Sequence, residues 1–271
     1  MTILESAPRR LRVDFLVQRR FWVVMALPVI LQIFFLFILW LAPHPLFRTL
    51  LAPPIRFRFG EQVLHYPWHL AFLVHAAAKV RLLAMAFGGA WAVGFACVLA
   101  HAYARGEAGS PRKIYGVYKP SFWHCTFAWS VAWAFAKALT WGASSLLPIG
   151  SVRVAAQVAL LVVLQMLLVY AIALAAINRM SWWNALGKSA RLAVLHPVGT
   201  LLIVAVPVVL VLGTALMLPE PRIIHWMMQN NPDMGIGFIA ARIVVAYLAD
   251  GMISLGAVYR LECMRETPAL A

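Results

Sequence analysis

Charge is scarce in this sequence, and negative charge is the scarcer. Only 12% of the 271 residues are charged, and nine Asp and Glu stand against 23 Lys and Arg. Soluble domains average about 25% charged residues and need a wetted exterior, so the composition argues against an ordinary soluble fold. The hydrophobic content of 63% and the mean hydropathy of +0.84 indicate a protein whose main solvent is lipid.

The scarcity of acids leaves a formal net charge of +14. In a soluble protein such an excess would suggest nucleic acid as a partner. In a membrane protein basic residues flank the spans and face anionic lipid headgroups. The sequence therefore predicts a lipid bilayer with anionic lipids as a partner, and no nucleic acid.

Residues that carry chemistry are also few. Cys97, Cys125 and Cys263 are isolated and lack the paired spacing of a disulfide framework or a zinc site. His65 and His69 form a single HxxxH spacing, whereas a metal site uses three or four ligands. The chain has no phosphate-binding P-loop and no glycine-rich dinucleotide fingerprint. We therefore predict no catalytic residue, no cofactor and no metal ligand.

Long apolar runs dominate what the sequence does contain. The runs are continuous, whereas strands of a membrane barrel alternate over about ten residues, so helices are expected. Crossing a bilayer takes roughly 20 apolar residues. The predicted spans are about 21–41, 82–103, 121–147, 154–177, 198–217 and 237–258. The predicted fold is an all-α polytopic transmembrane helical bundle of about six spans, a single integral membrane domain over residues 1–271.

The first loop, 42–66, has a pattern of its own. Apolar and cationic residues alternate over 55–59, and Gly60 and Glu61 follow. Alternation with period two next to a glycine is typical of a strand that enters a turn. The pattern predicts a short outer β-hairpin.

Two further segments, 68–81 and 181–196, predict interfacial amphipathic helices. In the second, Trp182 and Trp183 supply an aromatic anchor. Lys188 and Arg191 supply its polar face. We expect this helix to lie at the membrane surface before the fifth span.

The distribution of basic residues predicts the orientation. Fourteen Lys and Arg fall on the segments predicted to be inside, and eight fall on the outside segments. This bias favours cytoplasmic N- and C-termini. Five of the outer eight lie in the first loop region, so a five-span arrangement stays open as an alternative. The first apolar run is too long for a cleaved signal peptide and is expected to remain as an anchor.

Two charges fall inside predicted spans. Lys137 lies near the middle of the third span and Asp250 near the middle of the sixth. A central charge costs about 2.5–3.5 kcal/mol even on the lenient insertion scale. We regard the two residues as a candidate intramembrane ion pair, with a static register lock, a proton or substrate relay, and no contact at all as the alternatives. Trp129, Trp133 and Trp141 share a helix face with Lys137 and form a candidate aromatic stripe.

One segment carries a family resemblance. It reads Trp183-Asn184-Ala185-Leu186-Gly187-Lys188-Ser189-Ala190-Arg191-Leu192, then His196-Pro197 and an apolar span. This resembles poorly characterised bacterial six-span families, including the membrane domain found beside glycerophosphodiester phosphodiesterases. The resemblance implies a compact six-helix bundle in a bacterial inner membrane. The catalytic barrel of those phosphodiesterases has no counterpart here, so the resemblance carries over no activity and no site residues.

The leading functional hypothesis is a non-catalytic integral membrane subunit or scaffold. It would bind another membrane protein or form a homo-oligomer in the inner membrane. An alternative is a permease or transport component that uses Lys137 and Asp250. A second alternative, a membrane lipid-modifying enzyme, rests on His65, His69 and the interfacial helices.

Overall fold

The protein is helical through the residues that its computed structural model describes, which are 19–66, 68–105, 111–146, 151–216, 230–231 and 234–266. No β-strand occurs in these residues, and the all-α prediction is confirmed for them. The α-helices are α1 Arg19–Met25, α2 Leu27–Trp40, α3 Pro45–Phe59, α4 Trp68–Ala84, α5 Ala90–Ala104, α6 Pro111–Tyr118, α7 Phe122–Leu146, α8 Ser151–Leu168, α9 Ala171–Ile177, α10 Trp182–Leu195, α11 Pro197–Leu216 and α12 Met234–Glu266. Short 3₁₀ turns lie at Glu61–Leu64 and Lys119–Ser121, and a π-helical turn lies at Met85–Gly89.

Three stretches are long and apolar enough to cross a membrane. They are Arg19–Trp40, which joins α1 and α2, Ala155–Ile177 in α8 and α9, and Met234–Arg265 in α12. A fourth arises if α10 and the first part of α11, which meet at a bend of 105°, count as one broken span. Within the described residues, length and composition thus support three to four spans.

Two predicted spans, 82–103 and 121–147, are not among these candidates, each for its own reason. The predicted span 82–103 is interrupted at Met85–Gly89, where the backbone of Gly88 is not helical. The interruption leaves α5 with 15 residues, fewer than the roughly 20 that cross a bilayer. The predicted span 121–147 does form one helix, α7, of 25 residues, but its polar side chains lower its apolar character. The count of six spans stays a prediction.

The predicted β-hairpin is wrong. Residues 55–59 complete α3, which begins at the cap residue His44, whose side chain accepts a hydrogen bond from Leu46 N at 3.4 Å. Gly60 ends the helix at a φ of 87°, a backbone conformation that suits glycine. Arg56 then pairs with Glu61 across this turn. A helix satisfies these backbone groups locally, whereas two isolated strands are only marginally stable.

The chain divides into two compact units. The first comprises Met1–Met25, Ala90–Val208 and Ala249–Ala271. Its centre is α5, which is buried at eleven of its 15 residues and contacts α1, α6, α7 and α9. Small residues permit this packing: a Cβ on Gly94 would lie 2.5 Å from the Tyr118 hydroxyl and 2.8 Å from Cys125 Sγ.

The second unit comprises Ala26–Gly89 and Val209–Leu248. Its α2 packs along α4, and Leu36, Ala77 and Val80 are buried between apolar neighbours. The Gln32 amide, itself buried, donates to Ala77 O at 3.1 Å and fixes the register of the two helices. The helix predicted over 68–81 lies within α4, which packs against α2, and its place at a membrane interface stays a prediction. One membrane domain over the whole chain stays a prediction.

Candidate functional site

The helix α7 holds the candidate charge and the candidate aromatic stripe. Near its start, Cys125 and Ala128 are buried. From residue 129 to residue 142 no position is buried, although α7 contacts α8. We call residues 129–142 the uncovered segment. Every residue in this half of a 25-residue helix is therefore at least partly exposed in the described chain.

The neighbouring helix α8 is also thinly covered. Among its residues with described side chains, Leu164 is the first that is buried. Val152, Leu161 and Val163 are exposed. The first half of α8 is therefore itself at least partly exposed at every residue whose side chain is described.

Lys137 lies midway along the uncovered segment with its side chain exposed. One turn to either side, Trp133 is 37% exposed and Trp141 is 76% exposed, while Trp129 is half-buried. The predicted stripe is thus a surface of the chain. Among the described residues the Lys137 ammonium has no hydrogen-bond, ion-pair or ring partner. Its backbone carbonyl accepts from Thr140 Oγ1 at 3.1 Å.

Asp250 lies in the middle of α12, where it is half-buried. Its backbone carbonyl accepts a hydrogen bond from Ser254 Oγ at 2.7 Å. The structure does not place the Lys137 ammonium in an ion pair with this residue. The candidate pair stays a prediction.

The sequence around Lys137 contains no acid that could neutralise it. Residues 108–219 include no Asp and no Glu. Six of the twelve helices, α6 to α11, lie wholly within this stretch. A carboxylate for Lys137 must therefore come from a distant part of the chain or from another molecule.

The predicted interfacial helix over 181–196 forms α10. Ser181 caps it by accepting from Asn184 N at 3.5 Å. One face, Ala185, Ser189 and Ala193, is buried. The exposed face carries the predicted residues Trp183, Lys188 and Arg191, and Trp182 is half-buried against Trp183. The amphipathic character is confirmed, and its place at a membrane surface stays a prediction.

A buried polar network that sequence reasoning missed joins α10 to the break between α8 and α9. Ser189 Oγ donates to Leu167 O at 2.7 Å and accepts from Tyr170 N at 3.1 Å. The Tyr170 hydroxyl lies 3.0 Å from Thr200 Oγ1, which donates to His196 O. Ser189, Tyr170 and Thr200 are all fully buried. Ser189 thereby satisfies two backbone groups at the helix break.

A second missed feature is a charge cluster around Glu262, which is only 5% exposed. His101 Nδ1 donates to Glu262 Oε1 at 2.7 Å, and Arg265 Nη1 donates to the same oxygen at 3.0 Å. Arg105 Nε lies 3.6 Å from Glu262 Oε2. Arg265 also donates to Asn178 Oδ1, so the cluster joins the ends of α5 and α12 to the end of α9.

The histidines behind the lipid-enzyme alternative do not converge. His69 is buried and its Nδ1 lies 3.0 Å from Val63 O, while His65 is exposed and 3.9 Å from Glu61 Oε1. Within the described ranges no group of three or more His, Cys, Asp or Glu is arranged to hold a metal ion. Cys97, Cys125 and Cys263 are free thiols.

Tyr118, at the end of α6, is fully buried. Its hydroxyl donates to Trp91 O at 2.8 Å, and burial raises the pKa of the phenol well above its usual range. Tyr118 is therefore a neutral structural donor.

Comparison with protein-family models, with curated proteins and with solved structures finds no match for this chain. The resemblance of residues 183–197 to bacterial six-span families stays a prediction.

Proposed function

We propose that this chain is a non-catalytic integral membrane subunit, and that a second membrane protein docks on the uncovered segment of α7. The observation that carries the proposal is Lys137, whose exposed ammonium lacks a partner among the described residues. It stands between Trp133 and Trp141 on a segment in which no residue is buried. Aromatic residues are enriched at protein interfaces, which supports docking at this surface.

Helix α7 is long enough to cross a bilayer. Its 25 residues span about 37 Å at 1.5 Å per residue, more than the roughly 30 Å of hydrocarbon in a bilayer. A lysine near the middle of a crossing helix that faces lipid costs about 2.5–3.5 kcal/mol. A docked partner that gives the ammonium a carboxylate offsets this cost. The proposal thus adds α7 to the candidate spans.

The positive charge of Lys137 also determines which kind of partner can dock. A second copy docking face to face would bring two Lys137 ammonium groups together, which is unfavourable in a low dielectric. An apolar helix of a different protein with one Asp or Glu at matching depth is complementary. We therefore infer a heteromeric complex.

The location follows from the basic residues. Fourteen of 23 Lys and Arg fall on the segments assigned to the inside, including Arg105, Lys113 and Lys188. This bias supports a multi-pass protein of a bacterial inner membrane with both termini in the cytoplasm. Six spans, with α5 and α7 completing the set, fit that orientation.

The test is purification of the tagged full-length chain in mild detergent, followed by mass spectrometry of whatever is retained. We expect a membrane protein in stoichiometric amount. Lys137→Glu should lower its recovery by about tenfold or more, because reversal of one charge in a desolvated pair costs several kcal/mol. Lys113→Glu is the matched control, since Lys113 is an exposed lysine of α6 away from the uncovered segment.

Two results would overturn the proposal. One is a solitary, monodisperse protein with no retained partner. The other is equal recovery of the partner with Lys137→Glu and Lys113→Glu. If instead Lys137→Met abolishes uptake of a solute while protein level and solitary behaviour are unchanged, the permease alternative takes its place.

A further inference from the structure

The second unit contains an apolar cavity of about 690 Å³, a volume within the range of about 300–1,000 Å³ that is typical of ligand sites. Its wall comes from α2, α3, the 3₁₀ turn and α4. Three of the twelve lining residues are polar, namely Gln62, His75 and Lys79. The other nine are Leu39, Phe59, Val63, Trp68, Ala71, Phe72, Ala76, Val80 and Leu83.

Most of the wall is one face of α4. Its lining residues run from Trp68 to Leu83 at spacings of three and four, which is the spacing of residues on one side of a helix. At 1.5 Å per residue this face is about 22 Å long. The cavity is thus elongated along α4 and suits a long, apolar molecule.

A cation lies at this apolar wall. Lys79 Nζ is 5.7 Å from the centroid of the Phe59 ring, which packs edge-on against Phe72 at 5.2 Å. The described residues give the ammonium no carboxylate partner. The acid in the neighbouring turn, Glu61, is already engaged by Arg56 and lies 3.6 Å from Arg48 Nη2.

The chain around Lys79 also carries an excess of positive charge. Residues 26–89 contain five Lys and Arg and a single acid, Glu61. A ligand that takes the place of water at Lys79 is therefore expected to bring a negative charge with it.

One helical turn before Lys79, His75 adds a polar atom. Its Nδ1 donates to Ala71 O at 2.8 Å, because a carbonyl oxygen can only accept. The remaining ring nitrogen, Nε2, has no partner in the described part of the chain. Lys79 and His75 together form a short polar edge on an otherwise apolar cavity.

We propose that this cavity binds a long-chain fatty acid, with its carboxylate at Lys79 Nζ and its acyl chain along the α4 face. A neutral hydrocarbon would fill the apolar wall but leave the ammonium without a counter-ion. A small anion would satisfy Lys79 but leave the apolar length empty. The inference uses unit-two residues only and does not depend on the partner proposed for α7.

The test measures binding to the full-length chain in nanodiscs of phosphatidylcholine. A photoreactive oleate carrying a diazirine is the probe, competed by oleate or by oleyl alcohol, and its adducts are mapped by mass spectrometry. We expect oleate to compete about tenfold better than oleyl alcohol, and adducts to fall within residues 68–83. Lys79→Gln should remove the preference for the acid, and Lys79→Arg should retain it.

The matched control is Lys113→Gln, the same change at an exposed lysine of α6, which should leave the preference intact. Equal competition by oleate and oleyl alcohol would overturn the proposal. So would adducts outside the cavity wall, or an unchanged preference in a folded Lys79→Gln protein. Displacement of the probe when phosphatidylglycerol replaces part of the phosphatidylcholine would instead assign the cavity to a phospholipid and overturn the free acid.

Discussion

At the scale of single residues, Glu262 shows how this acid-poor chain uses one of its nine acids. Its carboxylate receives His101 and Arg265 at hydrogen-bond distance and faces Arg105. Burial of a carboxylate that is only 5% exposed costs free energy unless hydrogen-bond donors surround it. Here His101 and Arg265 are those donors. The arrangement holds three helix ends together at the end of α12.

Replacement of Glu262 by Gln should therefore destabilise the protein. The change removes the counter-ion of three basic side chains, and we expect a loss of about 1–3 kcal/mol in the free energy of unfolding. Thermal unfolding in detergent, followed by circular dichroism, measures it. The matched control is Glu61→Gln, whose carboxylate also has cationic partners but is 45% exposed, so its loss should stay within about 1 kcal/mol. Equal losses would show that burial is not what makes Glu262 important.

Sequence reasoning finds one of these two charge sites and misses the other, for a physical reason. Lys137 is recognisable because it interrupts an apolar run and because tryptophans recur every four residues around it. The Glu262 cluster is not recognisable, because His101 lies 161 residues away along the chain. Which helix ends meet is decided by packing over the whole unit, and no local pattern records it.

At the scale of elements, the length of an apolar run is the dependable signal. It predicts α2, the pair α8 and α9, and α12, because in lipid an uninterrupted apolar segment must satisfy its backbone as a helix. The alternation of apolar and cationic residues over 55–59 led to the wrong prediction of a β-hairpin, since the same residues also fit a helix that ends at Gly60. The break at Met85–Gly89 is likewise hidden in an apolar run, where the pair Gly88 and Gly89 is the local hint.

The break between α8 and α9 is held by a side chain from another helix. Ser189 supplies both a donor and an acceptor to it, at Leu167 O and Tyr170 N. Ser189→Ala should leave these two backbone groups unsatisfied and buried, at a cost of about 1–3 kcal/mol. Hydrogen exchange of the Tyr170 amide should quicken accordingly.

Ser130→Ala is the control for this change. The Ser130 hydroxyl donates to Thr126 O, a carbonyl of its own helix, so its removal leaves little unsatisfied. If both serine variants unfold at the same temperature and the Tyr170 amide stays protected, Ser189 is a packing residue and not the stabiliser of the break.

At the scale of the whole molecule, the open quantity is how many helices cross the bilayer. Length and composition support Ala155–Ile177 as a span, whereas α7 enters the set through the argument on Lys137. Lys113 lies before α7, and Lys188 lies after α9. If both segments cross, these two lysines face the same side of the membrane. If only Ala155–Ile177 crosses, they face opposite sides.

Single cysteines at Lys113 and Lys188, which are both exposed, show whether the two positions face the same side of the membrane. They are introduced into a protein in which Cys97, Cys125 and Cys263 are replaced by alanine. A membrane-impermeant maleimide is applied to right-side-out and to inverted vesicles of the membrane that holds the protein. We expect Lys113→Cys and Lys188→Cys both to react in inverted vesicles only, because basic segments are retained in the cytoplasm. Glu61→Cys, half-exposed beside the first loop helix, should react in right-side-out vesicles and serves as the opposite control. Labelling of the two lysine positions from opposite sides would remove α7 from the bilayer, and with it the energetic reason for a partner at Lys137.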